Sequence, residues 1–491
     1  MNILEKIREK STQYSRSQLF MRLKNALQWS FIGLFFSKGA AFIASVIAAK
    51  ILGPAGNGEL GVITTTLSLF STVAGMGLGL TSTKYIAELK ASDKPKAGRV
   101  VGMTNIIGAF SGMGFGILLF FGAEWLCSTL LNAPKLAECL KIAAIIVAFS
   151  TYNGIQKGVL SGYEQFKRIA VIDGVVGILN FVLYIVGALI WGLSGVITGQ
   201  AVSAIITNLL YFFFVKNANA EHGIKPDYRR GFSEKRILYT FALPSMLGGI
   251  MVTPIMWFCQ TIITTTPNGY VELGIYNAAV QWRQILHLIP SVLGNALLPI
   301  LVSSKEDDGQ LEKINILFGW LLVSVCALPI LLFPEYVARI YGAEYDVTKY
   351  AVSASLIVFT CIIYSYTEGI TRKLVQKSVV WYGVASNCVW GVTSIILHYA
   401  LKRYGSVGIS LAYFVAYLLA TVVFLPIYIK KGYVKLGIIL SREIIFIWIA
   451  LAVQFVLALL QINIYIRIVA TAVICGSVFY NLRRIVKDEK N

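Results

Sequence analysis

The sequence predicts an all-α integral membrane protein of about 14 transmembrane helices, built as two six-helix lobes plus two C-terminal helices. Three observations carry this. Apolar stretches of about 20 residues recur along the whole chain. Lysine and arginine concentrate in alternate connecting segments, and landmarks of the first half return in the second. Hydrophobic residues make up 57% of the 491 residues and charged ones 14%, a balance that calls for lipid around the helices rather than a globular core.

In order, a charged cytoplasmic segment at 1–26 precedes a first lobe at 27–215, with spans near 27–49, 60–82, 100–122, 140–160, 169–190 and 193–215. A cytoplasmic loop at 216–236 leads to a second lobe at 237–430, with spans near 237–263, 273–302, 314–333, 350–370, 379–400 and 407–429. The remainder, 431–491, holds spans near 443–460 and 464–481 and a cytoplasmic tail. The first span is too long for a signal-peptide core and lacks an obvious small-residue cleavage site, so it is expected to stay as an anchor.

The net charge of +19 raises nucleic acid as a partner, but its placement argues against one. With the amino terminus in the cytoplasm, about 33 of the 43 lysines and arginines fall in cytoplasmic segments, about 6 outside and about 4 within spans. The positive-inside rule accounts for such a charge, contact with anionic membrane lipids is its functional alternative, and both termini come out cytoplasmic. The seven cysteines are scattered singly, which implies neither a metal site nor a disulfide framework. No cofactor is expected.

The longest loop, at 216–236, is too short for a soluble domain, and no phosphate-binding loop motif occurs. Gly75, Gly77 and Gly79 lie within a span with no strand before them, and Gly108, Gly112 and Gly116 form a small-xxx-small series, so both sets read as helix-packing faces. A membrane polymerase would be expected to carry catalytic groups on a substantial outer loop. Glu124, Glu138, Glu335, Glu344 and Asp346 instead sit on short outer segments with no histidine beside them, and are expected to be solvated. The chain is therefore not expected to be an enzyme.

Glu59-Leu60-Gly61-Val62 returns as Glu272-Leu273-Gly274-Ile275, an offset of 213 residues. Gly154 pairs with Gly369 at nearly that offset, and Gly192 and Gly195 pair with Gly405 and Gly408. A six-span repeat keeps its sidedness, so two lobes related by an axis along the membrane normal would enclose a central cavity and rock around it. That is the layout of a transporter. A channel is disfavoured because no short re-entrant filter segment is visible.

Ala49-Lys50-Ile51-Leu52-Gly53-Pro54 with Gly58-Glu59-Leu60-Gly61, then Gly75-Met76-Gly77-Leu78-Gly79 leading to Lys84-Tyr85-Ile86-Ala87-Glu88, resembles the Wzx-like O-antigen and polysaccharide flippases. These form one branch of the multidrug/oligosaccharidyl-lipid/polysaccharide exporter superfamily. Asn57 stands where that family more often has an aromatic residue. The resemblance implies movement of undecaprenyl-diphosphate-linked oligosaccharide units across the bacterial inner membrane by alternating access, coupled to an ion gradient, for O-antigen, capsule or exopolysaccharide synthesis. It leaves room for partner membrane proteins of polysaccharide assembly. Rival readings are a flippase for the peptidoglycan lipid precursor, a drug/cation antiporter of the same superfamily, and a membrane polysaccharide polymerase.

Charges inside spans mark candidate cargo contacts, because each costs at least about 2.5 kcal/mol at mid-bilayer unless it meets water, a counter-ion or an anionic ligand. Lys38 sits halfway along the first span and Arg283 halfway along the eighth. An ammonium and a guanidinium suit phosphate oxygens, and from different lobes they would converge on one diphosphate. An internal ion pair or snorkelling is the alternative for each. Asn277, Gln281 and Gln284 share a helical face beside Arg283 and His287, a polar wall suited either to sugar hydroxyls or to interhelical hydrogen bonds. Gln260, Thr261, Gln200 and Asn208 are weaker candidates of that kind.

Asp173 and Asn180, seven residues apart in the fifth span, are candidates for ion coupling, with pairing to Lys38 or closure near Lys167 and Arg168 as the alternative. His398 is expected at the interface and Arg467 to snorkel from the outer end of the last span. His222 is given no role. Pro244, Pro254 and Pro290 are expected to kink spans seven and eight.

Overall fold

A computed structural model describes residues 3–243, 246, 251–294, 309–377, 379 and 381–487, and among these no residue is in a β-strand. Nine described helical stretches are long and apolar enough to cross a membrane. Three of them, Ser37–Gly75, Phe166–His222 and Trp381–Lys430, each hold most or all of two expected spans. Pro244 and the far end of the eighth span lie outside the described residues.

The first helix, α1 (Ile3–Gly75), runs through the loop expected at 53–58. Its two arms meet at Gly53 (φ 67°, ψ 178°), a conformation that L side chains rarely adopt, and Pro54 suits the first turn of the arm that follows. The second arm ends early, because Met76 (φ 46°) and Gly77 (φ 67°) are successive left-handed residues that a right-handed helix cannot contain. The expected span at 60–82 is thus split, and α2 (Leu78–Leu89) begins anew.

Asp93 caps α3 (Lys94–Trp125) by accepting the Lys96 N–H at 2.9 Å, with Pro95 in the first turn. Next come α4 (Ala137–Gly162) and α5 (Phe166–His222), which folds back on itself at Gly192. Gly79 and the Gly108, Gly112 and Gly116 series pack closely on neighbouring helices, whereas a Cβ on Gly75 would meet nothing within 4 Å among the described residues and Gly77 serves the left-handed break instead of a packing face. A Cβ on Gly158 of α4 would overlap the Gly79 carbonyl of α2, and one on Gly112 of α3 would lie 2.8 Å from the Ala148 oxygen of α4.

The second half comprises α6 (Val252–Thr264), α7 (Gly269–Leu286), α8 (Gly319–Leu332), α9 (Val347–Gln376), α10 (Trp381–Leu401) and α11 (Gly405–Lys430). α9 continues past the expected end at 370 and buries Arg372 and Lys373. Arg372 donates from Nε to Asn315 Oδ1 at 2.8 Å and from Nη2 to the Asn315 carbonyl at 3.1 Å, while Lys373 lies 3.8 Å from Glu312. Charge at this depth is tolerated because each cation is paired or hydrogen-bonded.

The last helices, α12 (Arg442–Leu459) and α13 (Ile464–Lys487), pack on α9 and α8 respectively. Arg467 does not snorkel. It is buried and forks onto Glu335 at 3.1 and 3.0 Å, tying α13 to the segment after α8, so Glu335 is paired as well. His398 is buried rather than interfacial, with Nδ1 2.7 Å from the Ser394 carbonyl, and His222 stacks on Tyr163 at 4.4 Å.

The halves meet where α1 crosses α7. A Cβ on Gly58 would overlap the Tyr270 carbonyl, and one on Gly274 would overlap the Pro54 carbonyl, so only glycine lets these backbones touch. Asn57 Nδ2 donates to the Gly274 carbonyl at 2.8 Å. Tyr270 and Tyr345 donate to the carbonyls of Leu131 and Ala49 at 2.6 and 3.0 Å. Burial pushes the Tyr345 phenol well above its ordinary range, which keeps it a neutral donor. This end of the bundle is sealed.

Candidate functional site

Two polar cavities are found among the described helices, one mainly in each half. The first, about 420 Å³, is walled by α1, α4 and α5, with Gln284 and Ile285 of α7 at its edge. Lys38 faces it beside Ser45, Asn153, Asn180 and Gln200. Lys38 is exposed and has no acidic partner among the described residues. The amides are fixed by neighbours: Asn153 Nδ2 donates to the Ala204 carbonyl at 3.0 Å, Asn208 Nδ2 to Asn153 Oδ1 at 3.1 Å, and Gln200 to the Tyr184 hydroxyl. The result is a polar chamber with one exposed ammonium, able to offer hydrogen bonds to phosphate or hydroxyl oxygens.

The second cavity, about 370 Å³, is enclosed by α6, α7, α9, α10 and α11. Arg283 donates to the Tyr413 hydroxyl, and its guanidinium carbon lies 4.9 Å from that ring's centre. His287 stacks on Tyr364 at 4.2 Å, and its Nε2 is buried with no hydrogen-bond partner among the described residues. Glu368 lines the same cavity, 3.4 Å from Arg372. Among the described residues no cluster of histidine, cysteine, aspartate and glutamate could hold a metal ion.

The predicted residues therefore separate. Lys38, Asn180 and Gln284 come together in the first cavity, and Arg283 with His287 in the second. Lys38 and Arg283 do not converge on one chamber in this conformation, because α7 is the wall between them. One residue turns a helix by about 100°, so Arg283 and Gln284 point to opposite sides. Asn277 and Gln281 make interhelical hydrogen bonds instead: Asn277 Nδ2 to the Asn57 carbonyl at 3.4 Å, and Gln281 Nε2 to the Ser45 carbonyl at 3.4 Å. Gln281 Oε1 also accepts from Tyr341 at 3.1 Å.

Asp173 pairs with Lys157 at 2.7 Å and accepts from Tyr211 at 3.4 Å, so its partner is not Lys38. Of the weaker candidates, Gln260 Oε1 accepts from Thr65 at 3.0 Å, across the contact between α6 and α1.

Sequence reasoning missed Tyr364, Glu368, Trp390, Tyr413 and Tyr417, which line the second cavity. The repeat held the signal. Tyr413 and Tyr417 follow Gln200 and Ala204 by 213 residues, and Glu368 follows Asn153 by 215, the offset of the adjacent Gly154 and Gly369. The two cavities thus use equivalent positions of the two halves, filled with amide and small residues in one and aromatic and charged residues in the other.

The sequence profile described as "Polysaccharide biosynthesis protein" matches residues 23–305. The EPS I polysaccharide export inner membrane protein EpsE of Ralstonia nicotianae is 22% identical over 307 residues, covering 61% of this chain and 69% of the relative. Lipid III flippase of Escherichia coli is 18% identical over 410 residues, 81% of this chain and 96% of its own. Among solved structures, the lipid II flippase MurJ in an inward closed conformation aligns with a TM-score of 0.69 at 14% identity, over 92% of this chain and 98% of that one. An inward-facing multidrug resistance MATE family transporter aligns with a TM-score of 0.66 at 16% identity, over 82% of this chain and 98% of that one. The fold is shared with these transporters, and the chain belongs to the polysaccharide biosynthesis protein family of the multidrug/oligosaccharidyl-lipid/polysaccharide exporter superfamily.

Proposed function

We propose that this protein is a flippase that moves an undecaprenyl-diphosphate-linked oligosaccharide across the bacterial inner membrane by alternating access, for O-antigen, capsule or exopolysaccharide synthesis. The observation that carries the reading is the Lys38 chamber: an unpaired ammonium among amides from both halves, set within helices long and apolar enough to span a membrane. A diphosphate loses its hydration in hydrocarbon, and such a chamber replaces that water with fixed donors. The relatives' names, polysaccharide export protein and lipid III flippase, support the same class of cargo.

Residues 27–215 and 237–430 act as the two rocking lobes, joined by the 216–236 loop. With the basic loops and both termini in the cytoplasm, the sealed end at Gly53, Asn57 and Tyr345 faces outward, so the outer gate is the closed one in this reading. The Lys157–Asp173 pair is the candidate coupling group, since a proton or cation on Asp173 releases Lys157.

The test is translocation of fluorescent undecaprenyl-diphosphate oligosaccharide in proteoliposomes, with and without an imposed ion gradient. Wild type moves the cargo, and Lys38→Gln/Arg283→Gln inserts and folds but does not. Equal transport by the folded double variant removes both cations from the mechanism. No transport by folded wild type overturns the flippase reading.

A further inference from the structure

The second cavity is lined by hydroxyl and amide groups that both donate and accept, but its charge is unbalanced. Arg283 has a phenol as its hydrogen-bond partner and no carboxylate within ion-pair distance among the described residues. The one carboxylate lining the cavity, Glu368, stands beside Arg372. Arg283, Arg372 and Glu368 together leave one positive charge uncompensated. A partly buried cation without a counter-ion is unfavourable, and a ligand anion offsets that cost. The Nε2 of His287 and the indole N–H of Trp390 are also buried with no hydrogen-bond partner among the described residues.

The walls have their own preference. Tyr364, Trp390, Tyr413 and Tyr417 present aromatic faces, with Trp390 and Tyr417 centred 5.4 Å apart and Tyr413 and Tyr417 5.0 Å apart. Flat aromatic rings suit the C–H faces of a pyranose, and a volume near 370 Å³ lies within the range of small-ligand sites. The equivalent positions in the first half, Gln200 and Ala204, carry no such platform.

The geometry points to the second cavity as a subsite for a sugar ring bearing a carboxylate, a uronic acid of the cargo oligosaccharide, with Arg283 as the carboxylate's partner. This rests on the flippase reading and adds cargo selectivity to it: the Lys38 chamber serves the diphosphate that all such cargo shares, and the Arg283 cavity reads the sugar.

The experiment compares two undecaprenyl-diphosphate tetrasaccharides in proteoliposomes, one carrying a glucuronate and one its carboxyl-reduced, neutral twin. A charge-assisted contact gives wild type about a tenfold preference for the acidic cargo. Arg283→Gln brings the two rates together by slowing the acidic cargo, and Arg283→Lys retains part of the preference because it keeps the charge. Residual movement of the neutral twin shows that the variants are folded. Equal rates in wild type, or a preference unchanged in Arg283→Gln, overturn the inference and leave the flippase reading standing. Movement of neither twin by folded wild type overturns both.

Discussion

Gly192 and Gly405, 213 residues apart, share one backbone conformation: φ 60°, ψ −133° in the first and φ 59°, ψ −137° in the second. Each turns the chain between two helices at the same place in its half, and the region is closed to side chains at low cost. Alanine at either position is expected to destabilise by about 1 to 3 kcal/mol. Gly405→Ala is the worse of the two, since its Cβ would also overlap the Glu272 carboxylate while Gly192 faces open space. Thermal unfolding of the purified variants in detergent gives the order, and equal midpoints would remove the Glu272 contribution.

The repeat extends to charge. Glu59 pairs with Lys135 at 2.5 Å in the first half, and Glu272 pairs with Lys349 in the second. Of the two, Glu272 alone among the described residues also accepts a backbone N–H, that of Ser406 at 2.8 Å. Glu272→Gln is therefore expected to cost about 1 to 3 kcal/mol, the range for a lost bond to a buried charged group, whereas Glu59→Gln falls under about 1 kcal/mol because Lys135 is solvated. A double-mutant cycle with Lys349→Met measures the coupling, and a cycle near zero would make the pair incidental.

Arg372 holds Asn315 at two atoms and neighbours Glu368 from inside the bundle. Arg372→Met leaves Glu368 without its cation and is expected to destabilise by about 3 to 5 kcal/mol. Arg372→Lys recovers little, because a point charge cannot reproduce the fork on Asn315. Unfolding midpoints read both, and a wild-type midpoint for Arg372→Met would mean that the network contributes nothing net.

The spans and the repeat were legible because both are written in local pattern: apolar runs of membrane length, and landmarks at a constant offset. The pairings were not. Arg467 and Glu335 are 132 residues apart, and Arg372 and Asn315 are 57 apart, so neither contact is written locally, although Glu368 does stand one helical turn before Arg372. The separation of Arg283 from Lys38 depends on the rotation of α7, which hydropathy does not fix when the helix is polar on two sides. The break at Met76 was hidden for a related reason, since apolar composition continues through it while the backbone does not; the one near Gly53 was expected, but as a loop and not as a sharp turn between two helical arms.

Asp173→Asn keeps the size and the Tyr211 contact of the carboxylate and removes its charge, freeing Lys157. If this pair couples transport to an ion gradient, the variant moves cargo at the gradient-free rate whether or not a gradient is imposed. The measurement is the ratio of rates with and without the gradient, expected to fall to about one. A ratio equal to that of wild type would reduce the pair to a tether between α4 and α5.

The seal where α1 crosses α7 has no room for a side chain. A Cβ on Gly274 would overlap the Pro54 carbonyl, so Gly274→Ala must hold the halves apart at that end or shift the backbone that Asn57 grips. Alternating access then requires the outward-open population to rise, since a change that penalises one closed end favours the state in which it is open. Ser45 lines the Lys38 chamber behind the seal and reports on it. In a cysteine-free background carrying Ser45→Cys, an impermeant thiol reagent added outside is expected to label the Gly274→Ala protein several-fold faster than its parent, with a penalty to the closed state of about 1 kcal/mol being enough for about a fivefold change. Unchanged labelling from outside, with labelling from the cytoplasmic side intact, would place the barrier somewhere other than the contact between Pro54 and Gly274.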